Sequence, residues 1–208
     1  MDAQAFWNVI GNYNEKTWII QISLLIFVLF AVILSYMGKV KWAAKFALGI
    51  VNLFIAIAFF AWYGTEPIQK YFALPLYLAC GGLFLYESWH NKDDAIIKPN
   101  IIQKMLLMLY FFYPFISMLL GNSFPQMVTY IMPCPVISLS IIIYAGYKRK
   151  NKILLALLAI WGLTGIKSII VNAYEDMILL ICGLYGVVLL VNEMKKPKKG
   201  SVVDVTKI

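Results

Sequence analysis

Long apolar runs, each cut off by a short cluster of charges, set the rhythm of this chain. About 20 apolar residues cross the hydrocarbon core of a bilayer as a helix, so charge-free intervals serve as rulers. Between Lys16 and Lys39 lie 22 uncharged residues, and between Lys45 and Glu66 lie 20. The 16 between Lys70 and Glu87 reach span length once Glu87 snorkels to the interface. The 43 between Lys104 and Lys148 are too many for one helix, and the string Gly121-Asn122-Ser123-Phe124-Pro125 supplies a turn that divides them. Two further runs, from Ile153 to Tyr174 and from Met177 to Asn192, bring the count to seven. The pattern therefore predicts an all-α fold, a seven-transmembrane helix bundle over residues 17–192. Ahead of it, in residues 1–16, Phe6, Trp7 and Ile10 fall at i, i+1 and i+4, with Asn8 and Asn12 turned elsewhere. That spacing predicts a short N-terminal amphipathic helix lying on the membrane, as an interfacial anchor or as a lid over an outer mouth. Residues 193–208 read as a basic tail.

Charge sets the orientation. Of the 18 Lys and Arg, 15 fall in one alternate set of connections and ends, while only Lys16, Lys70 and Lys167 fall in the other. Cytoplasmic loops carry such an excess, which predicts an N-terminus outside and a C-terminus in the cytoplasm. The net charge of +8 is thus a topology signal and not a nucleic-acid footprint. Lys195, Lys196, Lys198 and Lys199 are placed to hug anionic lipid heads. Composition agrees: 62% of residues are hydrophobic and 13% charged, where soluble domains carry about 25% charge. Asp2, Glu15 and Lys16 before the first run do not make the positive leader of a cleavable signal. Seven spans permit a three-plus-one-plus-three parallel repeat. Tyr36-Met37-Gly38 echoes Tyr144-Ala145-Gly146, and Leu78-Ala79-Cys80-Gly81 echoes Leu180-Ile181-Cys182-Gly183.

Few residues could carry chemistry. Pro133-Cys134-Pro135 lies 8–10 residues beyond Pro125, which on a continuous helix is about 12–15 Å deep, near the bilayer midplane. Two prolines there would free the carbonyls of Thr129 and Ile131 and break the fifth helix. Irregular backbone at that depth lines a cavity or is buried in protein. The readings are a kink that shapes a packed bundle, a solute site, or a soft-metal site in which Cys134 is joined by Met132, Met127 or Met118. Cys80, Cys134 and Cys182 all sit in apolar runs and read as buried thiols. Lys167 is the one strong charge well inside a span, placed to snorkel, to pair with Glu175 or Asp176, or to act as a functional cation. Gln21 and Asn52 are single amides suited to interhelical hydrogen bonding or to substrate contact. Glu175 and Asp176 open the last helix, where acids complement the helix dipole. Glu87 and His90 lie one turn apart at the end of the third run, as interfacial groups or a proton relay. There is no hydrolase constellation, phosphate loop or dinucleotide glycine pattern, so the sequence points to no catalytic residue, no cofactor and no enzyme.

Several strings together resemble a known family. They are Phe6-Trp7 to Ile10-Gly11, Tyr13-Asn14, Thr17-Trp18, Gln21, Tyr113-Pro114, Pro133-Cys134-Pro135, Trp161 with Gly165, and Glu175-Asp176. The chain resembles, over about residues 6–192, an uncharacterised family of small bacterial polytopic membrane proteins, a domain of unknown function loosely labelled permease. The resemblance implies a bacterial cell (inner) membrane and no established activity. It also implies that a charge at Lys167 and cysteines at Cys80 and Cys182 are not shared features. The expectation is a small-solute permease in the lipid bilayer with a midplane site at a broken fifth helix. The alternatives are a non-transporting sensor or accessory subunit, and a soft-metal permease.

Overall fold

A computed structural model describes residues 3–170 and 172–195. The expected tail beyond Lys195 lies outside the described residues. Among those described the chain is all-α, with eight α-helices and no strand, only isolated bridges.

Helix α1 (Ala3–Tyr36) runs unbroken for 34 residues, about 51 Å at 1.5 Å per residue. The separate surface helix expected over residues 3–12 is therefore the first three turns of α1. No Pro interrupts that stretch, and Ile10 and Tyr13 are buried in the core. Helix α2 (Ala43–Phe54) continues as a π-helix, Ile55–Trp62. A second π-helical stretch, Gln69–Ala73, leads into α3 (Leu74–His90). Helices α4 (Ile101–Phe111) and α5 (Tyr113–Leu119) meet at a 49° bend. Pro114 explains it, because proline cannot donate to the Tyr110 carbonyl one turn back. Asn100 starts α4 with a capping box shared with Gln103. Helix α6 (Pro133–Ala145) follows an irregular stretch, 120–132. Asn151 caps α7 (Lys152–Leu163), accepting from the Ile153 and Leu154 amides, and a 3₁₀ stretch, Thr164–Ile169, extends it. A 3₁₀ turn, Tyr174–Asp176, opens α8 (Met177–Lys195).

Four helical stretches are long and apolar enough to cross a membrane: Gln4–Tyr36, Ala43–Trp62, Lys152–Ile169 and Tyr174–Lys195. A fifth is added if α4 and α5 are one bent span. The count of seven from charge-free intervals is not reached on these terms. The shortfall is clearest at α6, whose 13 residues rise only about 20 Å, because the apolar residues before it are not helical. Large apolar side chains such as Ile19, Ile26, Phe30 and Ile33 of α1 point outward, as fits a protein embedded in lipid.

Helix α6 is the axis. From Pro135 to Tyr144 every residue is buried, and α2, α4, α7 and α8 pack around it. On either side stand two antiparallel hairpins, α2–α3 and α7–α8. Each crosses at a glycine pair. A Cβ on Gly162 would lie 2.4 Å from the Gly183 Cα, and a Cβ on Gly49 would lie 3.2 Å from the Gly81 carbonyl. Small residues let helix backbones touch, which is how apolar helices associate where lipid removes the hydrophobic drive. Cys80 and Cys182, each preceding the second glycine of its pair, are buried free thiols.

The end of the bundle around the α1–α2 and α3–α4 connections holds a buried charge cluster. Lys45 Nζ pairs with Asp94 Oδ2 at 2.9 Å and Glu87 Oε2 at 3.4 Å, with the lysine fully buried. It also stands 4.3 Å from the Tyr147 ring centroid. Glu87 is thus not the snorkelling interfacial acid expected, and Lys45 is not a loop cation. Asn91 Nδ2 donates to Glu87 as well, which holds its carboxylate inside.

Gly162→Ala is expected to cost about 1–3 kcal/mol by forcing α7 and α8 apart, measured by thermal melting in detergent, whereas Gly82→Ala, in mid-helix with nothing within 4 Å of its Cβ, should hold the melt or raise it. Lys45→Met, which strands two buried carboxylates, should cost about 3–5 kcal/mol. Adding Glu87→Leu and Asp94→Leu to Lys45→Met removes the stranded charges and should recover most of that loss.

Candidate functional site

The residues flanking Pro133-Cys134-Pro135 do not form a broken helix. Met132 is extended (φ −128°, ψ 164°) and Pro133 is the first residue of α6. The prolines start the helix and do not kink it. The first amides of any helix lack intrahelical partners, a serious cost away from water. At α6 two of these amides do not exist, because Pro133 and Pro135 occupy the first and third positions, and φ near −65° is already helical. Tyr77 on α3 donates its hydroxyl to the Pro133 carbonyl at 2.7 Å.

The irregular segment before α6 is held by one polar stripe on α1. Tyr13 OH donates to the Ile131 carbonyl at 2.6 Å. Asn14 Nδ2 donates to the carbonyls of Pro125 and Met127, both at 2.8 Å. Thr129 Oγ1 donates to Gln21 Oε1 at 2.7 Å, and Gln21 Nε2 donates to Asn14 Oδ1 and Thr17 Oγ1, both at 3.0 Å. Gln21, expected as an interhelical or substrate amide, is a strut in this network. On the other side Ser117 Oγ accepts from the Val128 amide at 3.0 Å and donates to Glu175 Oε1 at 2.6 Å. Tyr130 OH donates to the Phe111 carbonyl beside the α4–α5 bend. Tyr13, Asn14 and Thr17 entered the sequence reading only within strings that carry the family resemblance, and Thr129 only through its carbonyl. The i, i+1, i+4 spacing of the first three, continued by Gln21, was the available signal.

Above the start of α6 the helices line a partly open cavity of about 360 Å³. Of the sequence-predicted residues, it brings together Phe6, Ile10, Pro133, Cys134, Pro135, Lys167 and Asp176, with Met132 beside them. Four others stand elsewhere. Trp7 packs edge-on against Phe6. Gln21 braces the irregular segment. Asn52 is a core amide that donates to the Leu48 carbonyl and, at 3.3 Å, to Ser140 Oγ. Glu175 is turned toward Ser117 and Asn122. The cavity's wall is aromatic. Phe59 and Phe60 come from the first π-helical stretch, Phe72 from the second, and Trp161 from the end of α7. Trp161 lies edge to Phe60 at 5.6 Å and stacks on Phe72 at 6.3 Å. π-Helical segments are rare and gather at functional sites. Both of these face the cavity, and apolar periodicity alone could not announce them.

The charged residues that line it, Lys167 and Asp176, come from the junction of α7 and α8. Asp176 is buried, with Tyr113 OH donating to its Oδ1 at 3.0 Å, and it shares the cavity wall with Cys134. Gly165 makes that placement feasible, since a Cβ there would sit 2.9 Å from the Asp176 carbonyl and 2.6 Å from the Leu180 amide. Lys167 is on the exposed rim. Among the described residues no group of three His, Cys, Asp or Glu side chains is placed to hold a metal ion. The Met132 sulfur, one of the soft donors considered, accepts from the Thr129 amide at 3.1 Å.

A protein-family model described as a family of unknown function (DUF6064) matches residues 3–201. Neither a curated protein nor a solved structure matches the chain.

Asn14→Leu removes both donors to the 125–127 carbonyls and is expected to cost about 1–3 kcal/mol. The partly buried Cys134 thiol should then react with a maleimide faster than in the parent protein, read by mass spectrometry, while the fully buried Cys80 and Cys182 should not.

Proposed function

Because the chain belongs to DUF6064, a family without an assigned activity, we propose its function from the cavity. It is a permease-like membrane protein that binds a small solute between the start of α6 and the aromatic wall. In this proposal it lies in a bacterial cell membrane with its N-terminus outside, and α3 and the segment ending in α6 complete seven passes. The hairpins α2–α3 and α7–α8, each with its glycine crossing and buried cysteine, are then the related parts of a parallel repeat.

One observation carries the reading: a helix begins inside an apolar bundle, and a cavity of about 360 Å³ opens over that beginning, lined by aromatic rings and a few polar groups. Ligand pockets are concave, mostly apolar and furnished with a few convergent polar groups. Discontinuous helices are where many transporters hold their substrates. The first turns of α1, through Phe6 and Ile10, form part of the enclosure, so the lid expected from the sequence is here one end of a long helix.

A second reading, a sensor or accessory subunit that binds without transporting, rests on the aromatic packing. Tyr77, Phe84 and Tyr144 are fully buried, with Tyr77 tilted against the wall residue Phe60 and Phe84 edge to face with Tyr144. Close ring packing of this kind supports a protein that binds its ligand without passing it on.

A solute that binds the cavity is expected to raise the melting temperature saturably in purified protein, and Trp161→Ala should remove that shift. Uptake of the same solute into proteoliposomes separates the readings. Accumulation supports the permease, and binding without uptake supports the sensor. A broad solute panel that produces no saturable shift counts against both.

A further inference from the structure

We infer that the ligand of this cavity is a small organic amine, bound through its ammonium group at Asp176 with its apolar or aromatic body against the ring wall. The inference rests on the cavity being a binding site, as proposed above.

The first argument is charge. Glu175 and Asp176 are 1% and 6% exposed. The ion pairs among the described residues join Lys45 to Glu87, Lys45 to Asp94, and Lys150 to Glu193, and none reaches Glu175 or Asp176. Lys167 lines the same cavity but stays on its exposed rim. A buried carboxylate without a counter-charge is costly, and the neutral donors here, Tyr113 and Cys134 to Asp176 and Ser117 and Asn122 to Glu175, bring no positive charge. Glu175 Oε2 has no hydrogen-bond partner at all. At the opposite end of the bundle the same fold places a fully buried lysine between its two buried acids. At the cavity the acid that lines it has no such lysine, and an ammonium ligand would supply the missing charge.

The second argument is the wall. Phe59, Phe60, Phe72 and Trp161 offer ring faces and edges around one side of the cavity, and the faces of such rings attract cations. The third argument excludes an anion. A helix N-terminus ordinarily attracts phosphate or carboxylate through its free amides. The start of α6 has lost two of them to Pro133 and Pro135, and Asp176 stands beside it. A cavity of about 360 Å³ is at the small end for ligand sites and suits a single ring with a short side chain.

The test uses the full chain in lipid nanodiscs and three probes of matched shape: 2-phenylethylamine, 2-phenylethanol and 3-phenylpropanoate. Saturable thermal stabilisation is expected with the amine, at an apparent Kd about tenfold or more below that of the alcohol, and none with the carboxylate. Asp176→Asn should weaken the amine to the level of the alcohol, leave the alcohol unchanged, and melt no lower than the parent without ligand. If that variant does not fold, Lys167→Gln on the exposed rim serves instead. It should tighten the amine and leave the alcohol unmoved. Equal affinity for amine and alcohol overturns the amine assignment and leaves the cavity as a neutral-solute site. The same saturable shift with sodium or potassium chloride alone overturns it in favour of an inorganic cation. A response to the carboxylate alone overturns it outright. If none of the three probes binds while another solute does, the amine assignment fails and the binding site stands.

Discussion

An apolar interior holds no water to satisfy a free peptide group, so a helix that begins inside such a bundle must find a partner for every amide and carbonyl it leaves free. In this protein that requirement falls on residues 120–135, and much of the architecture around them answers it. Two prolines remove amides that would have been stranded. Tyr77 takes the Pro133 carbonyl, and Tyr13 and Asn14 take the carbonyls of Ile131, Pro125 and Met127. Ser117 takes the Val128 amide. Helix α1 is unbroken where its polar stripe, Tyr13 to Gln21, lies along this segment as a rail.

The cavity follows from the same constraint. A full-length helix ending at Ala145 would fill the space above Pro133 with its own turns. A short one leaves that space to be walled by whatever surrounds it, which is the end of α2, the approach to α3, and the junction of α7 with α8. The two π-helical stretches give Phe59, Phe60 and Phe72 positions on that wall. Close contact at Gly165 presses the end of α7 onto the opening turn of α8 and sets Asp176 beside Cys134.

The two ends of the bundle then differ in kind. One is closed by a lysine that pairs two acids under a tyrosine ring. The other presents an acid toward a cavity. Between them lies a core of interlocked aromatic rings and glycine crossings, where rigidity comes from contact more than from charge. The asymmetry lies in the charges: one end pairs its buried acids with a lysine, and the other does not.

Sequence by itself determined the all-α class, the apolar outward surface and the family, because helix-length hydrophobic runs need no tertiary partner to be recognised. It also marked Cys134, Asp176, Lys167, Phe6 and Ile10, since polar or aromatic residues are conspicuous in such runs. It misplaced the mechanism of Pro133-Cys134-Pro135. The same two prolines break a helix that has already begun and start one that has not, and only the chain before them decides between these. It missed the Tyr13–Gln21 stripe as a brace, because what those side chains bond lies more than 100 residues away. The burial of Lys45 and Glu87 was equally hidden, as a charge at the end of an apolar run looks interfacial until a partner is folded over it. Which charged groups are paired, and which one is left facing a cavity, was decided by tertiary structure alone, because the cost of a buried charge depends on what stands within a few ångströms of it.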